Sequence, residues 1–300
     1  MDGRVRGAHP HAEAEAARGE HQVLRRPGPP LLLNVREHVD GIAGLLAGGA
    51  NVALQLGHPA VGRGVLERPL RGRNVLEAPF VRGLSTFTYL AVALLGDDHD
   101  RERMRAAVNR SHAHVRSGPD SPVVYHAFDP ELQLWVAACL YAGMVDVITR
   151  MHGPLGDTDA DALYAASVRF GSTLQMREDQ WPATRAEFED FWSSRLDSLA
   201  YDAEVRAYVV HLLELRHLPT WLRLSPVGRF LVFTNRGFLP PVARERLGLG
   251  WSAAQERRLA RTLRLLGRCY ARLPLPLRNF PLNACLWDFR RRTRSGRPPW

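Results

Sequence analysis

The chain has 300 residues, 45% of them hydrophobic and 24% charged, a globular balance that excludes disorder, collagen-like repeats and coiled coil for its bulk. That length holds one large domain or two small ones, with room for a large cofactor. Forty basic residues against 31 acidic give a net charge of +9, and all forty are arginine. With abundant Ala, Gly and Leu this reads first as the codon bias of a GC-rich genome, while nucleic-acid or anionic-membrane binding stays open.

In chain order, residues 1–28 read as a flexible arm closed by the breaker Pro27-Gly28-Pro29-Pro30. Asn34 can cap a helix running toward Gln55, and the uncharged run Gly41 to Gly57 within it, with its glycines, Asn51 and Gln55, makes a poor membrane span. Asp97-Asp98 opens a helix to Arg116, acids first and arginine last, as the helix dipole favours. Asp129-Pro130-Glu131 supplies an N-cap, a proline at the first helical position and an early acid. Thr184 with Glu187 and Ser252 with Gln255 read as capping boxes, and Ser225-Pro226 opens a helix that Gly237 closes. Leu239-Pro240-Pro241 and Pro274-Leu275-Pro276 are connections.

No alternating apolar run is bounded by Asn-Gly or Asp-Gly turns, so strands are not expected. The expectation is an all-α fold, a single domain of eight to ten helices over residues 29–289. A basic tail over 290–300 follows, in which Arg290, Arg291, Arg292, Arg294 and Arg297 precede Pro298-Pro299-Trp300. Cys139, Cys269 and Cys285 show neither zinc nor CxxC spacing, and Met1 to Gln22 contains no apolar leader stretch. Both observations point to a cytoplasmic protein.

Twelve histidines raise the question of which face inward. On the Asp97–Arg116 segment, Met104, Val108, Ser111 and Val115 mark one helical face. His112 belongs to that face, four residues after Val108, and His114 lies about 200° away among arginines. Periodicity alone leaves His112 either a hydrogen-bonded core residue or a ligand. Other patterns fail: Glu214-x-x-His217 is the only half of a di-iron motif, and Gly83-Leu84-Ser85-Thr86-Phe87 lacks the second glycine of a nucleophile elbow. No phosphate loop or dinucleotide fingerprint occurs.

Four blocks, in this order, carry a resemblance. They are Asn51-Val-Ala-Leu-Gln-Leu-Gly-His58-Pro59-Ala-Val, Arg82-Gly-Leu-Ser-Thr86-Phe-Thr-Tyr89, Val108-Asn109-Arg-Ser-His112-Ala-His-Val115 and Tyr125-His-Ala-Phe-Asp129-Pro130-Glu131-Leu-Gln-Leu-Trp135-Val136. The ordered set resembles the MpaB-type oxygenase superfamily, which includes the rubber oxygenase catalytic domain. The resemblance covers about residues 28–285. It implies a mainly helical, globin-like core and haem b, with His112 as the iron ligand and Arg82 and Thr86 on the distal side. Glu67 falls in the region of the family's catalytic base. The family's lysine just before the threonine, which can take the sixth iron position, is here Ser85. His58 stays open between a distal and a structural role, and Tyr125, Asp129 and Trp135 read as scaffold, with Asp129 as a cap and Trp135 on one helix face with Cys139.

The function expected from this resemblance is a haem b-dependent oxygenase acting on an apolar small molecule, such as an unsaturated or prenylated one, with dioxygen and an electron donor as partners. The sequence keeps two alternatives: a haem protein with dehydration or peroxide-type chemistry, and a non-catalytic basic binding protein. Nucleic acid and a transmembrane segment are not expected.

Overall fold

The computed structural model describes residues 35–68, 76 and 79–298; the expected arm over 1–28 and the Asn34 cap lie outside them. The helices follow in order: α1 (Val35–His38), α2 (Ala43–Gln55), α3 (Pro59–Glu67), α4 (Pro79–Leu95), α5 (Asp98–His112), α6 (Pro130–His152), α7 (Asp157–Ser167) and α8 (Arg169–Ser172). Then come α9 (Arg185–Asp197), α10 (Ala203–Leu213), α11 (Thr220–Leu224), α12 (Pro226–Gly237), α13 (Pro241–Leu247), α14 (Ala253–Tyr270), α15 (Leu275–Arg278) and α16 (Leu282–Arg294). The fold is all-α as expected, and no strand occurs among the described residues. The described helices outnumber the expected eight to ten even when the single turns α1, α8, α11 and α15 are set aside.

Local chemistry sets the starts. Asp97 and Asp100 form a reciprocal capping box at α5, and Ser252 and Gln255 another at α14. Asp129 accepts from the Glu131 N–H at 2.8 Å with Pro130 next, so α6 begins where the sequence places it. Thr184 accepts from the Glu187 N–H at 3.1 Å, while the Glu187 carboxylate reaches back one residue further, to the Ala183 N–H at 2.9 Å.

α6 is the central element, with two apolar cores on its sides. One joins its Ala137, Ala138 and Tyr141 to Ala91 and Val92 of α4, Met104 and Val108 of α5, and Phe289 of α16. The other joins its Trp135, Cys139 and Val147 to Leu46 and Ala50 of α2, Val209 of α10, and Leu259 and Leu263 of α14. Trp135 and Cys139 are buried together, as the sequence indicates. Asn51 donates to the Cys139 carbonyl at 2.5 Å and the Trp135 indole donates to the Gln55 carbonyl at 3.0 Å, so two of the four resembling blocks meet as the α2–α6 crossing. α6 is also, by length and composition, long and apolar enough to cross a membrane.

Three expectations are corrected. The helix from Asn34 to Gln55 is broken between α1 and α2: a side chain at Gly41 would run into the Phe280 carbonyl, and Gly41 N–H donates to the Arg278 carbonyl at 2.7 Å. The Asp97–Arg116 helix ends at His112, because the chain folds back through Ser117 N–H to Tyr125 carbonyl and Ala127 N–H to Val115 carbonyl, both 2.9 Å. The basic tail does not start at 290, since α16 continues to Arg294 and Arg290 is ion-paired with Asp100 at 2.6 Å.

Candidate functional site

α4 and α5 form an antiparallel hairpin around Gly96-Asp97. Arg290 clamps its turn, donating to Asp100 at 2.6 and 2.9 Å and to Asp97 at 3.2 Å. The first turns of α4 therefore lie beside the last turn of α5. Arg82 and His112 are brought together there, close enough for the guanidinium charge to act on the imidazole.

His112 is half-buried, and its Nδ1 lies 3.0 Å from the Val108 carbonyl and 3.3 Å from the Ser111 hydroxyl. A carbonyl only accepts, so Nδ1 carries the proton and donates it to Val108, leaving the lone pair on Nε2. Burial, joined by the Arg82 charge, holds the pKa below the ordinary imidazole value, against the Val108 bond that raises it. The ring is thus a neutral imidazole with Nδ1 tied to a backbone carbonyl, the arrangement that presents Nε2 to a metal. Among the described residues Nε2 makes no hydrogen bond. His114, past the end of α5, is exposed.

Arg82, Ser85 and Thr86 occupy the next turn of α4. Thr86 shares the Arg82 face, but its hydroxyl, like that of Ser85, donates to the Arg82 carbonyl at 2.9 Å. The Thr86 proton is spent within the helix, leaving its oxygen as an acceptor. On the inward stripe of α4, Thr88, Ala91 and Leu95 are buried, whereas Val81 and Leu84, two turns and one turn earlier, are 54% and 47% exposed. The apolar stripe is therefore exposed only at the start of α4, on the turns that carry Arg82.

Glu67 makes its side-chain hydrogen bonds with residues other than this pair. Its carboxylate accepts from the Tyr125 hydroxyl at 2.9 Å and the Ser121 hydroxyl at 3.1 Å, on the loop that folds back after α5. Burial, then the Glu67 bond and charge, push the Tyr125 hydroxyl up to about 12. His58 also lies elsewhere, as the N-cap residue of α3. Burial and the Arg195 charge lower its pKa, Asp129 and Glu131 act on it in the opposite direction, and its Nδ1 is buried without a hydrogen bond.

One network escaped sequence reading. The Gln175 side chain donates to Asn109, its backbone N–H donates to the Gln133 side-chain amide oxygen at 2.9 Å, and the Gln133 side chain donates back to the Gln175 side chain at 2.6 Å, fixing α5 to α6 one turn before His112. Asn109 stood in a resembling block; Gln175 lies 66 residues away with no local signal. Among the described residues no group of three or more His, Cys, Asp or Glu side chains is arranged to hold a metal ion by itself. A single imidazole, an adjacent cation and an uncovered apolar stripe suit a flat, apolar, anionic metal-carrying group such as haem.

Comparison with known proteins bears on this arrangement. The model of the ER-bound oxygenase mpaB/B'/Rubber oxygenase catalytic domain matches residues 35–268. An uncharacterized protein of Mycobacterium tuberculosis and one of Mycobacterium bovis are each 44% identical over 253 residues, covering 84% of this chain and 99% of the relative. No solved structure matches. The matched span contains α1 to nearly the end of α14 and with them the Arg82–His112 pair, and the chain belongs to the mpaB/rubber oxygenase catalytic-domain family.

Proposed function

We propose that the chain is a haem b-dependent oxygenase whose iron is held by Nε2 of His112 and whose substrate is an apolar small molecule. The observation that carries the reading is the hydrogen bond from His112 Nδ1 to the Val108 carbonyl, which leaves Nε2 free of hydrogen bonds among the described residues while burial lowers the ring's pKa. When bound, the haem supplies the dioxygen chemistry, with an external electron donor where the reaction needs one.

The chain's own residues do the rest. Val108 fixes the imidazole ring by its carbonyl, so His112 presents one nitrogen in one orientation. Arg82 supplies a cation for a propionate or for an oxygen anion on the substrate. The Thr86 oxygen, its proton committed to Arg82, accepts rather than donates. Val81 and Leu84 offer the apolar surface that would exclude water from the haem or substrate. Ser85 is too short to act as the nitrogen ligand that a lysine would be, so it would not compete with small ligands for a bound haem. Glu67, held by Tyr125 and Ser121, has no part in this reading.

The test is haem titration of the purified full chain. A Soret band that saturates at one haem per chain is expected. Failure to retain any haem after reconstitution would remove the reading.

A further inference from the structure

α14 packs through Leu259, Leu263 and Gly267, which are buried; Gly267 lies so near the Met151 carbonyl of α6 that a side chain there would collide with it. At 100° per residue the opposite side of the helix holds Arg257, Arg261, Arg264, Leu265 and Arg268, with Arg272 in the turn that follows. All six are exposed, Leu265 by 61%. The chain then leaves Leu273, Leu277 and Phe280 exposed by 38%, 58% and 59%.

Between Arg257 and Trp287 there are seven arginines and no aspartate or glutamate, so this stretch carries most of the net charge of +9. Several arginines elsewhere are ion-paired, Arg63 with Asp202 and Glu204, Arg150 with Asp146 and Glu256, Arg185 with Asp157 and Asp161, Arg290 with Asp100, while others such as Arg103 and Arg110 stand singly on α5. Within the stretch Arg278 pairs with Asp40, whereas Arg257, Arg261, Arg264 and Arg268 meet no carboxylate among the described residues. Four unpaired cations in line repel one another, a cost that an anionic surface reverses.

We propose that the outer face of α14 and the turn after it dock the protein on an anionic lipid surface. A row of guanidinium groups with leucines among and just after them fits a headgroup layer, where phosphates meet the cations and acyl chains receive Leu265, Leu273, Leu277 and Phe280. A nucleic-acid backbone would use the arginines but leave the exposed leucines in water. The docking does not depend on the haem reading, because none of these residues is assigned a part in it.

The experiment is co-sedimentation of the full chain with phosphatidylcholine vesicles, with and without one-third phosphatidylglycerol, at low and high salt. Binding to the mixed vesicles alone, weakened by salt, is expected. Replacing Arg261, Arg264 and Arg268 together by Gln, a residue that keeps helix propensity, should weaken it by on the order of a hundredfold, since each arginine near an anionic surface contributes roughly fivefold. Arg103→Gln with Arg110→Gln on α5 should change it less than twofold. Leu277→Ser with Phe280→Ser should lower the part of the binding that survives salt. Equal binding to both vesicle types, or no effect of the triple variant with its circular dichroism unchanged, would overturn the proposal. So would tight binding of an oligonucleotide without vesicle binding, or a dimer in solution that the Leu277 and Phe280 changes dissolve.

Discussion

The positive charge of Arg82 acts on the imidazole of His112 across the α4–α5 hairpin, and after burial it is the second influence that lowers the pKa of that ring. The two residues are 30 apart in sequence and adjacent only because the Asp97–Asp100 capping box, braced by Arg290, turns the chain back on itself. A histidine must be neutral to offer its lone pair to a metal, so on the proposed reading the Arg82 charge favours the form of His112 that could bind one.

The first prediction follows from that relation. Arg82→Gln removes a charge that disfavours imidazolium, so the His112 pKa should rise toward its ordinary value of about 6.5. A histidine with a depressed folded-state pKa binds fewer protons folded than unfolded. Its contribution favours the fold above the unfolded pKa and is lost as pH falls through the folded one. NMR titration of the His112 ring in both proteins checks the direction; an unchanged or lower value in the variant would show that the charge does not reach the ring.

The second concerns Asp40, whose side chain is 3% exposed and accepts from Arg278 at 2.8 Å and His152 at 2.6 Å. It joins the start of the described chain to α6 and α15. Asp40→Ala leaves both partners unmatched and should cost about 2–4 kcal/mol, toward the lower end because those partners are partly exposed. Urea unfolding measures it; a change near zero would mean that water replaces the carboxylate without loss.

The third tests how the site is divided. Tyr125→Phe deletes one donor to Glu67 and should cost about 1 kcal/mol of stability. Neither Tyr125→Phe nor Glu67→Gln should alter haem retention. Haem loss on Glu67→Gln with the fold intact would bring Glu67 back into the site.

The fourth is steric. Gly267→Ala places a methyl group against the Met151 backbone carbonyl, which cannot move aside as a side chain can. The substitution should cost about 3 kcal/mol, at the upper end for an overpacked core. Thermal unfolding beside Gly250→Ala, where nothing lies in the way of a side chain, checks it. Equal stability of the two variants would mean that α14 shifts away from α6 at little cost.

What the sequence made legible is local. The caps at Asp97, Asp129, Ser225 and Ser252 lie within three residues of the backbone groups they satisfy, and the inward His112 and outward His114 are separated by helical angle alone. What it concealed is long-range. The break at Gly41 is imposed by Phe280, and the end of α5 by the returning loop at Tyr125. Glu67 is claimed by a hydroxyl 58 residues away, and Arg290 by a carboxylate 190 residues away. The resemblance carried His112, Arg82 and Thr86 as a set; only the hairpin shows that Arg82 acts on His112 while the Thr86 proton turns back into its own helix.

The central claim is tested most directly by the haem-to-protein ratio of three chains reconstituted and desalted side by side: wild type, His112→Ala and His114→Ala. One haem per chain is predicted for the wild type and for His114→Ala, with near-complete loss in His112→Ala and partial recovery of that variant by added imidazole. Full retention in His112→Ala, or equal loss in both variants, would contradict the assignment of His112 as the iron ligand.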